Sequence, residues 1–86
     1  LSKKLHFMSF RTIRQKLAMY FLELTKPDKA EAELDRTQLA LSEYFGVSRP
    51  SLARELANMQ DDGLIEINKK HVRILNKNKL IQLVSF

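Results

Sequence analysis

Two arginines five positions apart, in the run Ser48-Arg49-Pro50-Ser51-Leu52-Ala53-Arg54, are the side chains of this sequence best suited to recognition chemistry. A guanidinium is a planar, permanently charged fork of donors that can satisfy two acceptors at once, such as guanine O6 and N7 or two phosphate oxygens. Ser51 and Asn58 add shorter hydrogen-bonding groups near them. A second basic group, Lys69-Lys70-His71, follows Asn68 in a polar stretch and offers point charges suited to phosphate. Thr37, Gln38 and Ser48 stand where helices should begin, and a helix N-terminus turns free N–H groups and a positive dipole toward an anion.

No comparable set points to catalysis. The 86 residues contain no cysteine, which excludes disulfides, thiolate metal sites and cysteine nucleophiles. His6 and His71 cannot build a multi-histidine metal centre, and two glycines leave no room for a phosphate-cradling loop. Asp61-Asp62 reads as a solvated helix end, and Asp28, Glu31, Glu33 and Asp35 lack the spacing of a calcium loop. The expectation is therefore a non-enzymatic domain without metal or cofactor. Fifteen Lys+Arg against ten Asp+Glu give +5, a balance that favours a polyanionic partner. At 44% hydrophobic residues the length suits one domain. With no apolar run of roughly 20 residues and no leader, a soluble cytoplasmic protein with no membrane partner is expected.

The elements that must hold these groups follow from spacing. Behind a candidate N-cap at Ser9, residues Phe10, Ile13, Leu17, Tyr20, Phe21 and Leu24 recur at helical steps, so a first helix is expected from Ser9 to Thr25, ended by Lys26-Pro27-Asp28. Lys26 to Glu33 reads as a surface connection. Asp35 followed three residues later by Gln38 resembles a capping box before Leu39, Leu41, Tyr44 and Phe45, giving a short second helix that ends at Gly46. Ser48 can cap a third helix with Pro50 in its first turn, where proline is tolerated, and Leu52, Leu56 and Met59 form its inward stripe up to Gly63. Leu64 to Ile67 and His71 to Leu75 flank a polar tripeptide and predict a β-hairpin. Asn76 to Phe86 predicts a short closing helix over the core. At about 100° per residue Arg54 lies about 200° around the third helix from Leu52 and faces away from the core.

This order, with small Ser42 where two helices cross and apolar Leu41, Phe45, Val47 and Leu52 around a Gly-Val-Ser turn, is that of a winged helix-turn-helix. The expected fold class is mainly α with a small β-hairpin wing: a three-helix core, the wing and a short C-terminal helix.

The stretch Gly46-Val47-Ser48-Arg49-Pro50-Ser51-Leu52-Ala53-Arg54-Glu55-Leu56, followed by Met59-Gln60-Asp61-Asp62-Gly63-Leu64-Ile65, resembles the recognition helix and wing approach of the Crp/Fnr regulators, specifically their C-terminal DNA-binding domain. The resemblance implies a transcription regulator that binds double-stranded DNA as a homodimer, with RNA polymerase as a further partner. It implies that residues 1–8 are the end of a dimerisation helix, or a linker, leading from an N-terminal sensor domain of unknown effector, and that residues 9–86 form the winged helix-turn-helix DNA-binding domain. Arg49 and Arg54 match the arginines that reach guanine edges or phosphates in that family. Pro50 departs from the glutamate that well-known members carry there, so their target sequence does not transfer. With Arg49, Ser51 and Arg54 as base readers, the phosphate contacts expected are Thr37, Gln38, Ser48, Asn58, Lys69, Lys70 and His71. The alternative is a winged-helix protein-interaction module without DNA binding, a reading that acidic or apolar residues at 49, 54, 69 and 70 would have favoured.

Overall fold

The computed structural model describes residues 11–25 and 28–85. Helix α1 spans Ile13–Leu24, strand β1 Glu31–Glu33, helix α2 Gln38–Phe45 and helix α3 Arg49–Asp61. Strands β2 (Ile65–Asn68) and β3 (His71–Ile74) follow, and helix α4 (Lys77–Val84) closes the fold. The expected winged helix-turn-helix is what the chain adopts. The expected dimerisation-helix end or linker over residues 1–8, the Ser9 cap, Phe10 and the Lys26-Pro27 stop lie outside the described residues.

Each helix begins at a side chain that accepts one of the unpaired N–H groups of its first turn. Thr12 caps α1 in a reciprocal capping box: its hydroxyl accepts from Gln15 N at 3.0 Å while the Gln15 amide oxygen takes the Thr12 N–H. Thr37, rather than the expected Asp35, caps α2 by accepting from Ala40 N at 3.1 Å. Asp35 is drawn away to the hydroxyl of Tyr20. Ser48 and Asn76 cap α3 and α4.

The C-termini are closed as tightly. Val47 N donates to Ser42 O at 2.9 Å and Gly46 N to Glu43 O at 3.2 Å, a Schellman pattern that needs the left-handed φ of +71° at Gly46. Leu64 N to Met59 O and Gly63 N to Gln60 O, both 3.0 Å, repeat that pattern after α3, with Gly63 at φ +74°. The chain thus turns from α2 into α3, and from α3 into the hairpin, within a few residues.

One core binds the elements. Leu17 and Phe21 of α1 meet Leu41 and Phe45 of α2, Leu52, Leu56 and Met59 of α3, Ile65 and Val72 of the sheet and Leu80 of α4. Ser42 is 3% exposed and returns its hydroxyl to Leu39 O at 2.7 Å, so the helix crossing is filled by a small, satisfied side chain as the sequence predicts. Leu39, expected on the apolar face, is 49% exposed, because a helix of eight residues anchored through Leu41 and Phe45 turns position 39 to solvent.

The expected connection through residue 33 also needs correction. Glu31–Glu33 is a strand that pairs antiparallel with β3, Ala32 opposite Val72, and the sheet order is β1-β3-β2. Leu34 N to Lys70 O and Ile74 N to Ala30 O, each 2.6 Å, extend this pairing beyond the strand ends. β3 would otherwise present an unpaired edge, and three residues satisfy it. The wing is therefore a hairpin backed by a third strand.

Candidate nucleic-acid interface

Helix α3 exposes its sequence-predicted groups to solvent. Leu52, Leu56 and Met59 are buried, whereas Arg49, Arg54, Ala57 and Asn58 are exposed and Ser51 is half-exposed. Among the described residues neither Arg49 nor Arg54 has an ion pair or a side-chain hydrogen bond. Their donor forks therefore stand free for a partner, with small Ser51 and Ala53 between them and Ala57 one turn beyond Arg54.

The first turn of α3 is a closed hydrogen-bond unit. The Ser48 hydroxyl accepts from Ser51 N at 3.2 Å and donates to Ser51 Oγ at 2.7 Å. Ser48 thus uses its proton within the cap, and Ser51 keeps its own hydroxyl proton to donate outward. Pro50 has no N–H, and Leu52 N is bonded to Ser48 O at 3.0 Å. Little backbone donor capacity remains at this helix start.

Around the wing, four of the expected phosphate ligands come together. Thr37, Gln38, Lys69 and Lys70 line one crevice between the start of α2 and the hairpin turn, over a floor that includes Phe21, Leu41, Leu56 and Ile67. The turn is two residues long, and Lys69 holds a left-handed φ of +57°, as the tight hairpin geometry requires. Thr37 Oγ accepts the Ala40 N–H, which leaves its hydroxyl proton available. Both lysines are exposed without a carboxylate partner among the described residues.

His71 is placed differently. Its Nε2 lies 2.7 Å from Glu31 Oε1, and Arg73 Nη2 approaches the same oxygen at 3.4 Å. The hydrogen bond from His71, followed by the charge of Arg73, holds the Glu31 carboxyl below its ordinary value. Glu31, Glu33 and Glu66 share the solvated sheet face with His71 and Arg73, since residues alternate across a strand. That face is acidic on balance and repels a polyanion; the lysine tip does not.

Sequence reasoning missed the side chains that hold α3 in place. Arg14 of α1 donates from Nε to Glu55 Oε1 at 2.5 Å and from Nη1 to Asp62 Oδ2 at 2.8 Å. The Glu55 contact, ahead of a smaller loss from burial, raises the Arg14 guanidinium above its ordinary value. Gln60 Oε1 accepts the N–H of Ile67 in β2 at 3.2 Å and so joins α3 to the wing. The Arg14–Glu55 pair is 41 residues apart and leaves no mark in local spacing. The Gln60–Ile67 pair is seven apart, across a turn whose geometry must be known first.

A family model described as a Crp-like helix-turn-helix domain matches residues 15–83. No sequence among the curated proteins matches the chain. Among solved structures, FixK2 from Bradyrhizobium japonicum superposes with a TM-score of 0.80 at 15% identity, covering 98% of this chain and 44% of that one. A mutant of CooA from Carboxydothermus hydrogenoformans gives 0.78 at 18%, covering 95% and 41%. A CRP-family transcriptional regulator from Thermus thermophilus, TTHB099, gives 0.76 at 17%, covering 94% and 44%. The chain spans less than half the length of these structures, and likeness at such identities establishes the fold.

Proposed function

The chain belongs to the Crp-like helix-turn-helix domains, and from that membership we propose that it binds double-stranded DNA sequence-specifically, as the output domain of a Crp/Fnr-type transcription regulator. Helix α3 lies in the major groove, where Arg49, Ser51 and Arg54 read base edges. The hairpin tip and the start of α2 grip the backbone through Lys69, Lys70, Thr37 and Gln38, with Asn58 reaching a phosphate from α3. Ser48 acts mainly as the cap that presents Ser51. His71, whose Nε2 is held by Glu31 on the acidic sheet face, would have to leave that carboxylate to join this grip.

The observation that carries this reading is the pair of exposed arginines of α3, Arg49 in its first turn and Arg54 at its middle, both without a partner among the described residues, on the same domain as a lysine tip equally unpartnered among them. The regulator acts as a homodimer. Two α3 helices then meet half-sites about 34 Å apart, and RNA polymerase is the further partner of the bound dimer.

The test is selection of bound sequences from a randomised duplex pool, followed by fluorescence anisotropy of the 86-residue chain on the selected duplex. Affinity should fall steeply with salt, since lysine and arginine release counterions from phosphates. Absence of binding at low salt, or binding indifferent to salt, would overturn the proposal.

A further inference from the structure

What Arg54 can reach depends on the roll of α3 about its own axis. Taking Leu52 as origin and about 100° per residue, Arg54 lies near 200°, Glu55 near 300°, Asp62 near 280° and Gln60 near 80°. The buried stripe of Leu52, Leu56 and Met59 keeps the helix on the core, but apolar contact is non-directional and leaves rotation weakly specified. Hydrogen bonds have directions, and α3 has a set on each flank.

On one flank the Arg14 guanidinium spans Glu55 and Asp62, two helical turns apart, at 2.5 and 2.8 Å. On the other, Gln60 Oε1 takes the Ile67 N–H of β2 at 3.2 Å. The arc that bears Ser51, Arg54 and Asn58 lies between the two flanks. We propose that Arg14 and Gln60 are positioning residues that fix the roll of α3 and thereby set its base-pair specificity, a role that rests on the DNA-binding reading above.

Geometry gives the scale. A roll of about 20° carries a group about 6 Å from the helix axis through about 2 Å. That is enough to break a bidentate contact, whose two bonds must both stay within about 3.2 Å. Arg14 has a second effect in the same direction. It keeps the Glu55 carboxylate, the neighbour of Arg54 in sequence, tied to α1 and away from the phosphates.

The experiment compares the wild-type chain with Arg14→Lys, Arg14→Met and Gln60→Leu on the selected duplex and on its single-base variants. The base pair that loses discrimination in Arg54→Ala serves as the reference. Arg14→Met and Gln60→Leu should lower the preference at that pair by about two- to thirtyfold, the range of residue-to-residue coupling, with the circular dichroism spectrum unchanged. Arg14→Lys, whose single ammonium bonds one carboxylate at a time, should restore part of the preference. It also decides the matter alone if Arg14→Met fails to fold. Equal weakening on every duplex, with the preference at the Arg54 pair intact, would overturn the positioning role and leave Arg14 and Gln60 as ordinary structural contacts. A wild-type chain that discriminates among no duplexes would instead overturn the DNA-binding reading itself.

Discussion

The Tyr20 hydroxyl donates a hydrogen bond to the carboxylate of Asp35, two residues ahead of the Thr37 cap, and so ties the buried face of α1 to the start of α2. Tyr20 is 6% exposed; burial first, and then the adjacent carboxylate, raise its phenol well above the ordinary value of 10.0. Tyr20→Phe should cost about 1 kcal/mol at neutral pH, the net worth of one such bond. Below about pH 10 the phenol is protonated in both states; above it the unfolded chain releases the proton first, so stability should fall as pH rises. In Tyr20→Phe that alkaline loss should be shallower. Urea midpoints of both proteins across the alkaline range measure the difference.

At the acid end the sign reverses. His71 and Arg73 hold Glu31 below its ordinary 4.5, so the stability its ionised form gives is present above that value and is lost as pH falls through the lower folded one. Glu31→Gln should flatten this part of the acid transition. Amide exchange of β1 and β3 should show the protection lost first at the Ala30–Ile74 and Leu34–Lys70 backbone contacts. Equal acid sensitivity in the variant would show that Glu31 does not hold the edge strand.

Gly46 tests the turn between α2 and α3. A Cβ there would meet nothing within 4 Å, so the penalty of Gly46→Ala is that of an L-residue at φ +71° alone, about 1–2 kcal/mol. Gly46→Asn should cost less, because asparagine tolerates the left-handed region. Thermal melts of the two variants should rank in that order.

Lys69 separates backbone strain from charge. At φ +57° a glycine removes the steric conflict of a side chain, so Lys69→Gly should keep stability within about 1 kcal/mol while deleting one charge at the hairpin tip. DNA affinity should fall alike on all sequences, and the salt slope should decrease by about 1. A change of preferred sequence would make the tip a base reader.

Arg54 carries the sharpest expectation. Exposed and without a partner among the described residues, it can be replaced by alanine with stability unchanged to about 0.5 kcal/mol. Discrimination at one base pair should drop by about 1–3 kcal/mol. Arg54→Lys should not recover it, since an ammonium lacks the planar fork. If preference survives at every position, Arg54 touches phosphate, and Arg49 and Ser51 do the reading.

Helix α3 and the groups it presents are legible in the amino-acid order alone. Ser48 as cap, Pro50 in the first turn, a stripe at Leu52, Leu56 and Met59, and Gly63 at the exit all act within a few residues, and short-range rules read them directly. The same holds for the hairpin and for Gly46. Packing settled the rest. β1 is three residues long, too short to show a period, and exists because the edge of β3 some 40 positions away accepts it. Thr37 caps α2 because Tyr20 claims Asp35, and Leu39 faces solvent because the core reaches α2 through Leu41 and Phe45. Arg14 finds Glu55 and Asp62 only once α1 lies against α3. Local sequence fixes which groups a helix can offer; contact between distant segments fixes the angle at which it offers them.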